Sequence, residues 1–167
     1  IVILQHPHEY THPLGTARIA RLSLSNITID TCWNDLKSHR VEKKIAQLQD
    51  AALLYPSPNA VELNTLSEHH LPKTLIVLDG TWSQAKSLYK TNTWLHALKH
   101  VKIVPAQPGN YRIRKEPHPH CLSTIEAIVQ ALQIIEPSSQ LLSPLHAFDR
   151  LIEQQICHEG KHQGTPR

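Results

Sequence analysis

The stretch Leu75-Ile76-Val77-Leu78-Asp79-Gly80-Thr81-Trp82 constrains the fold more than any other part of the chain. Its apolar run, Leu75 to Leu78, has the length and β-branched content of a buried strand. An acid, a glycine and a hydroxyl residue end that run, and Trp82-Ser83-Gln84-Ala85-Lys86-Ser87-Leu88 continues with helical composition. Thr81 followed three residues later by Gln84 fits a capping box, which predicts a helix from Thr81 or just after it. A buried strand turning directly into a helix points to an α/β architecture, and in open α/β sheets ligands sit where strands end and helices begin. Asp79 and Trp82 are therefore candidates for chemistry. Equally, Asp79 suits a turn and Trp82 suits the core.

The rest of the chain repeats the same alternation. Strands are predicted over 1–5, 27–33, 73–78 and 101–105, and helices over 16–24, 41–53 and 82–99, the last broken near Thr91-Asn92-Thr93. Ser123 and Glu126 form a second capping box, opening a helix to about Glu136, and an amphipathic helix is expected over 144–157. Proline-rich loops follow the first strand, interrupt the chain at Pro56-Ser57-Pro58, and occupy 108–120. The expected fold is α/β, a mostly parallel sheet with helices on both faces. One domain over 1–160 with a polar tail over 161–167 fits the length.

Several blocks resemble the DTW-domain family, in that family's order. Asp79-x-Thr81-Trp82 after a hydrophobic strand is similar to its signature. Ile3-Leu4-Gln5-His6-Pro7-His8-Glu9 with Thr16-Ala17-Arg18 resembles its opening strand, loop and first helix, and Leu54-Tyr55-Pro56-Ser57 its second loop. Tyr111-Arg112-Ile113-Arg114-Lys115-Glu116-Pro117 and Leu122-Ser123-Thr124-Ile125-Glu126-Ala127 resemble its C-terminal half, so the likeness runs from about Ile1 to Ile135. The resemblance implies transfer of the 3-amino-3-carboxypropyl group of S-adenosylmethionine to N3 of a uridine in tRNA. It also implies kinship with the SPOUT RNA methyltransferases. A C-terminal trefoil knot is implied by the resemblance alone, and general rules of chain topology oppose one. Bacterial members usually carry a cysteine-rich, zinc-ribbon-like segment before the opening strand, which is not seen here. The chain contains no methionine and starts at Ile1, so such a segment is expected to be missing upstream.

Charge and cysteine usage narrow the partners. Within the formal net charge of +3, Lys86, Lys90, Lys99, Lys102, Arg112, Arg114 and Lys115 face a single acid, Glu116, between Lys86 and His120. Segregated positive charge is the footprint of a polyanion partner, although charges near helix ends also simply keep a surface solvated. No stretch approaches the roughly 20 apolar residues of a membrane helix. Cys32, Cys121 and Cys157 are odd in number and far apart, which fits reduced thiols in the cytoplasm. His6-x-His8 with His12, and His118-x-His120, invite a metal-site reading, but 13 histidines make such proximities common and no companion ligand has convincing spacing. No metal is expected.

The chemistry implied by the resemblance assigns roles. A sulfonium donor has three electrophilic carbons, and the enzyme selects one by alignment with the nucleophile. Small and apolar loop residues are expected to bury the methyl; Leu54, Pro56, Leu78 and Leu122 are expected to bind the donor, and Gly80 to allow close backbone approach. Thr81, Ser123, Thr124 and Ser57 supply hydroxyls, and the helix starts near Thr81 and Ser123 supply amides for the donor's carboxylate. Ser123 equally suits a pure cap, and Tyr55 either stacks on adenine or belongs to the core. Asp79 fits two roles: acceptor for the donor's amino group or ribose, or, slightly favoured, base for the N3 proton. Trp82 faces the sulfonium, stacks on the target base, or wedges the loop. Tyr111, Arg112, Arg114 and Lys115 resemble an RNA-contacting loop. The alternatives are an RNA methyltransferase on the same scaffold, a non-catalytic RNA-binding domain and, more distantly, a histidine-based metallohydrolase.

Overall fold

The computed structural model describes residues 1–10, 15–33, 36–105, 122–137 and 149–150. They form an α/β fold around a six-stranded sheet: β1 (Val2–Gln5), β2 (Thr28–Thr31), β3 (Ala51–Leu54), β4 (Val61–Glu62), β5 (Thr74–Asp79) and β6 (Lys99–Lys102), in the order β2-β1-β5-β3-β6-β4. All five strand pairings are parallel. Four α-helices cover the sheet: α1 (Thr16–Ser23), α2 (Leu36–Ala46), α3 (Trp82–Thr91) and α4 (Thr124–Ile135).

Alternation along the strands sorts the core into two layers. Ile3, Leu75 and Val77 pack with Ala17 and Ala20 of α1 and with Ile125, Ile128 and Val129 of α4. Val2, Leu4, Ile76 and Leu78 point the other way, against Val41 and Ile45 of α2 and Ala85 and Leu88 of α3. Strands buried on both faces read as continuous apolar runs, and this is why β1 and β5 were legible.

One predicted element is corrected. The helix expected over 41–53 ends at Ala46, and Ala51–Leu54 is strand β3, hydrogen-bonded between β5 and β6. Alanine and leucine favour helix locally, but burial between two strands overrides that preference. Asp50, at φ 49°, makes the left-handed turn that separates α2 from β3. β6 also begins at Lys99, two residues before the predicted strand, where the long helix was expected to end. Its predicted break is real: α3 stops at Thr91 and a 3₁₀ turn, Thr93–Ala97, follows. The C-terminal knot that the resemblance implies, the loop over 108–120 and most of the helix over 144–157 fall outside the described residues.

The topology marks one place on the sheet. From β1 the chain leaves through α1 toward β2, whereas from β5 it leaves through α3 toward β6, in the opposite direction. The strand order therefore reverses between the neighbours β1 and β5, and a crevice opens beyond their C-terminal ends. Gln5 and Asp79 are the facing last residues of those two strands.

Candidate active site

Asp79 ends β5 on the face turned toward α1 and α4, by parity with Leu75 and Val77. Its side chain is 3% exposed, a position where a carboxylate must be hydrogen-bonded. Gln5 Nε2 donates to one carboxylate oxygen at 2.8 Å, and Thr124 Oγ1 donates to the other at 2.7 Å. Hydrogen bonds to a charged group contribute about 1.5–3 kcal/mol each, so the network ties β1, β5 and the start of α4 together at the crevice.

The corner after Asp79 is built as the sequence predicts. Thr81 Oγ1 accepts from Gln84 N (3.3 Å) while Thr81 N donates to Gln84 Oε1 (2.6 Å), a complete capping box for α3. The second box is also complete: Ser123 N and Oγ donate to Glu126 Oε2 at 2.8 and 2.6 Å, and Glu126 N approaches Ser123 Oγ at 3.4 Å. Ser123 is thus a cap whose donors are engaged within α4. The hydroxyl of Thr124 is likewise committed to Asp79.

These pieces surround a cleft of about 150 Å³. From the β3 side come Leu54, Tyr55 and Pro56; from the β5 corner Leu78, Asp79, Gly80, Thr81 and Trp82; from α4 Leu122, Ser123 and Thr124. The acid–glycine–threonine–tryptophan corner therefore borders an opening and is not sealed within the core. Trp82 is 39% exposed, so it is not a core residue. Tyr55 lines the cleft but stacks one ring face on Tyr89 at 4.4 Å and 21°. Burial, and then the neighbouring Tyr89, push its phenol above the ordinary tyrosine range.

Ser57 is not brought to this cleft. Its hydroxyl meets His100 Nδ1 at 2.6 Å and lines a separate hollow of about 690 Å³. Because the Leu95 carbonyl 2.9 Å away can only accept, His100 carries its proton on Nε2, and Ser57 donates to Nδ1. Tyr111, Arg112, Arg114 and Lys115 lie outside the described residues. Gln5, Glu9 and Thr16 were not singled out as site residues, yet Gln5 holds Asp79, and Glu9 and Thr16 line the cleft. A signal for Gln5 existed: like Asp79, it is a polar residue closing a buried apolar run.

His6 packs against the outer side of the corner. Its Nδ1 accepts from His8 N at 3.2 Å, which places its proton on Nε2. Burial, then the neighbouring His8, lower its pKa below the ordinary histidine value, with Glu9 partly opposing. The unfolded chain therefore takes up this proton first, and stability falls as pH drops below the ordinary value near 6.5. Thermal unfolding at pH 7 and pH 5 is expected to show a smaller loss for His6→Asn than for wild type. The asparagine carbonyl can still accept from His8 N without titrating. Equal losses would place the acid sensitivity elsewhere. Among the described residues no three His, Cys, Asp or Glu side chains stand together as a metal site, and no helix is long and apolar enough to cross a membrane.

With this geometry in place, comparison with known proteins is decisive about kinship. The DTW domain matches residues 1–156. The chain belongs to the DTW-domain family. Among relatives of this DTW protein, tRNA-uridine aminocarboxypropyltransferase 2 of Drosophila melanogaster is 35% identical over 171 residues, covering 96% of this chain and 68% of the fly protein. The Mus musculus protein of the same name is 31% identical, over 89% of this chain and 53% of its own length. tRNA-uridine aminocarboxypropyltransferase A of Arabidopsis thaliana is 28% identical, over 84% and 64%. The DTW chain thus spans between about half and two thirds of the length of these relatives. No solved structure matches it.

Proposed function

We propose that this chain transfers the 3-amino-3-carboxypropyl group of S-adenosylmethionine to N3 of a uridine in tRNA. The observation that carries the reading is the buried Asp79 carboxyl, held by Gln5 and Thr124 at the switch-point cleft of a DTW domain. When bound, the donor supplies a sulfonium that activates its γ-carbon; N3 gives up its proton to solvent and attacks, forming the N–C bond, breaking the S–C bond and releasing neutral methylthioadenosine.

The cleft's residues suit such a donor. Gly80 lets the corner that borders the cleft fold tightly onto α3, since a Cβ there would lie 3.0 Å from Gln84 Cβ and Oε1. Leu54, Leu78 and Leu122 form an apolar wall for the methyl and the adenosine, and exclude water from the reacting centre. The Asp79 carboxylate places a negative charge beside a donor that carries an ammonium and a sulfonium. Its oxygens can also accept a hydrogen bond from the donor's ammonium. In this reading it holds the donor. Lys86, Lys90, Lys99 and Lys102 make no ion pair with a described residue, which supports a phosphate-bearing partner. Lys102 lines the extension of the cleft beside Trp82.

Donor labelled separately in the methyl and in the carboxyl carbon, incubated with bulk tRNA, tests the reaction. Only the carboxyl label is expected in RNA, at a uridine on nucleoside analysis. Entry of the methyl label alone would make the protein a methyltransferase, and entry of neither would leave a binding domain.

A further inference from the structure

Beside the cleft lies a second opening that the transfer chemistry does not use. It is a hollow of about 470 Å³ lined by His6, His8, Trp33, Ser83, Gln84 and Ser87. The start of α3 is the partition: Thr81, Trp82 and Ala85 line the cleft, whereas Ser83, Gln84 and Ser87 line the hollow. One helical turn therefore separates the two, and a ligand with two adjacent planar groups can occupy both.

The hollow has the chemistry of a base-binding site. Trp33 is 39% exposed, a large apolar ring left facing water beyond the end of β2. His6 holds it edge-on, centroids 4.8 Å apart at 84°, and is itself braced edge-on by His8 at 5.0 Å and 75°. An edge-on support fixes the indole while leaving a ring face free to stack. Gln84 Oε1 is committed to Thr81 N. The Gln84 amide NH₂ and the Ser87 hydroxyl bond to no other described residue, so donors and an acceptor remain for a base edge. No acid lines the hollow among the described residues, so nothing there repels a phosphodiester.

We infer that this hollow is a second base subsite, which takes an unstacked nucleobase adjoining the modified uridine and stacks it on Trp33. The inference rests on the reading that the cleft receives a tRNA uridine. Recognition of single-stranded RNA proceeds by such splaying, and bases next to a reacting nucleotide must unstack when that nucleotide is withdrawn. Because the two openings share a wall, the neighbouring nucleotide is tethered within reach by the backbone itself.

The test uses intact tRNA and two tRNAs made abasic at the nucleotide before or after the mapped uridine, with KM, kcat, tRNA Kd and S-adenosylmethionine affinity measured for each protein. For wild type, one abasic substitution is expected to raise KM and Kd about tenfold, the loss expected for a single base–aromatic stack. Trp33→Ala is expected to show the same rise on intact tRNA and no further rise on that abasic tRNA. Its kcat and S-adenosylmethionine affinity stay at wild-type values, and Trp33→Phe restores most of the tRNA affinity. Ser87→Glu, which leaves Trp33 in place and fills the hollow with a carboxylate, gives the same tRNA defect. A Trp33→Ala protein with wild-type tRNA affinity, or one still penalised by that abasic tRNA as wild type is, overturns the inference. If wild type transfers nothing, the proposed reaction falls instead, and the Kd of Trp33→Ala and Ser87→Glu for intact tRNA against that of wild type decides the subsite.

Discussion

Asp79→Asn is expected to fold as wild type and to lose about 10- to 150-fold in kcat/KM, the effect of losing one charge-assisted hydrogen bond to the donor. Folding survives because the change is isosteric. The Asn carbonyl oxygen still accepts from Gln5 Nε2, and its NH₂ can donate to the Thr124 hydroxyl, which reverses its role. What disappears is the charge. If the carboxylate holds the donor's ammonium, equilibrium affinity for S-adenosylmethionine falls as well, by about tenfold or more, since a charge-assisted hydrogen bond contributes about 1.5–3 kcal/mol. Were Asp79 instead the base for N3, donor affinity would stay at the wild-type value while kcat collapsed. Calorimetric titration of the donor and single-turnover transfer, on the same preparation, separate the two roles. Wild-type values in both would remove Asp79 from the machinery altogether.

The same residues show which parts of such a site can be read from sequence. The corner at 79–82 was legible because its signals are local: an apolar run, a glycine, and a threonine with glutamine three residues on. The capping box of α4 was legible for the same reason. Asp79's partners were not, because Gln5 is 74 residues away and Thr124 is 45 residues away, joined to it only by strand order and helix placement. Ser57 shows the converse. It is close in sequence to Leu54, Tyr55 and Pro56, but the turn that follows carries its hydroxyl to His100 and into another hollow. Misreading β3 as helix had the same origin, since Ala51-Ala52-Leu53-Leu54 has helical propensity and only its burial between β5 and β6 decides otherwise. Local chemistry thus placed the corner, and non-local pairing decided which side chains meet it.

Gly80→Ala is expected to be the most damaging single-methyl addition at the site, lowering stability by about 2–4 kcal/mol. Two costs add. Gly80 sits at φ +156°, a backbone region that L side chains rarely adopt, and holding a non-glycine residue there costs about 1–3 kcal/mol. The new methyl would also stand 3.0 Å from Gln84 Cβ and Oε1 and 3.3 Å from His6 Cβ. Gln84 Oε1 is the atom that caps Thr81 N, so relieving the contact breaks the capping box, a further loss of about 1 kcal/mol. For a chain of this size the sum lowers the thermal midpoint by about 5–15 °C. Gln84→Ala provides the comparison, because it removes the cap without touching the glycine and is expected to cost only about 1 kcal/mol. The excess of Gly80→Ala over Gln84→Ala isolates the backbone term. Transfer should fall with it even below the melting range, because Asp79 and Trp82 flank the displaced residues and alignment at a reacting centre tolerates little movement. A Gly80→Ala protein that melts with wild type and transfers at the wild-type rate would mean that the corner accepts a side chain freely, and the tight turn ascribed to Gly80 would then have no part in shaping the cleft.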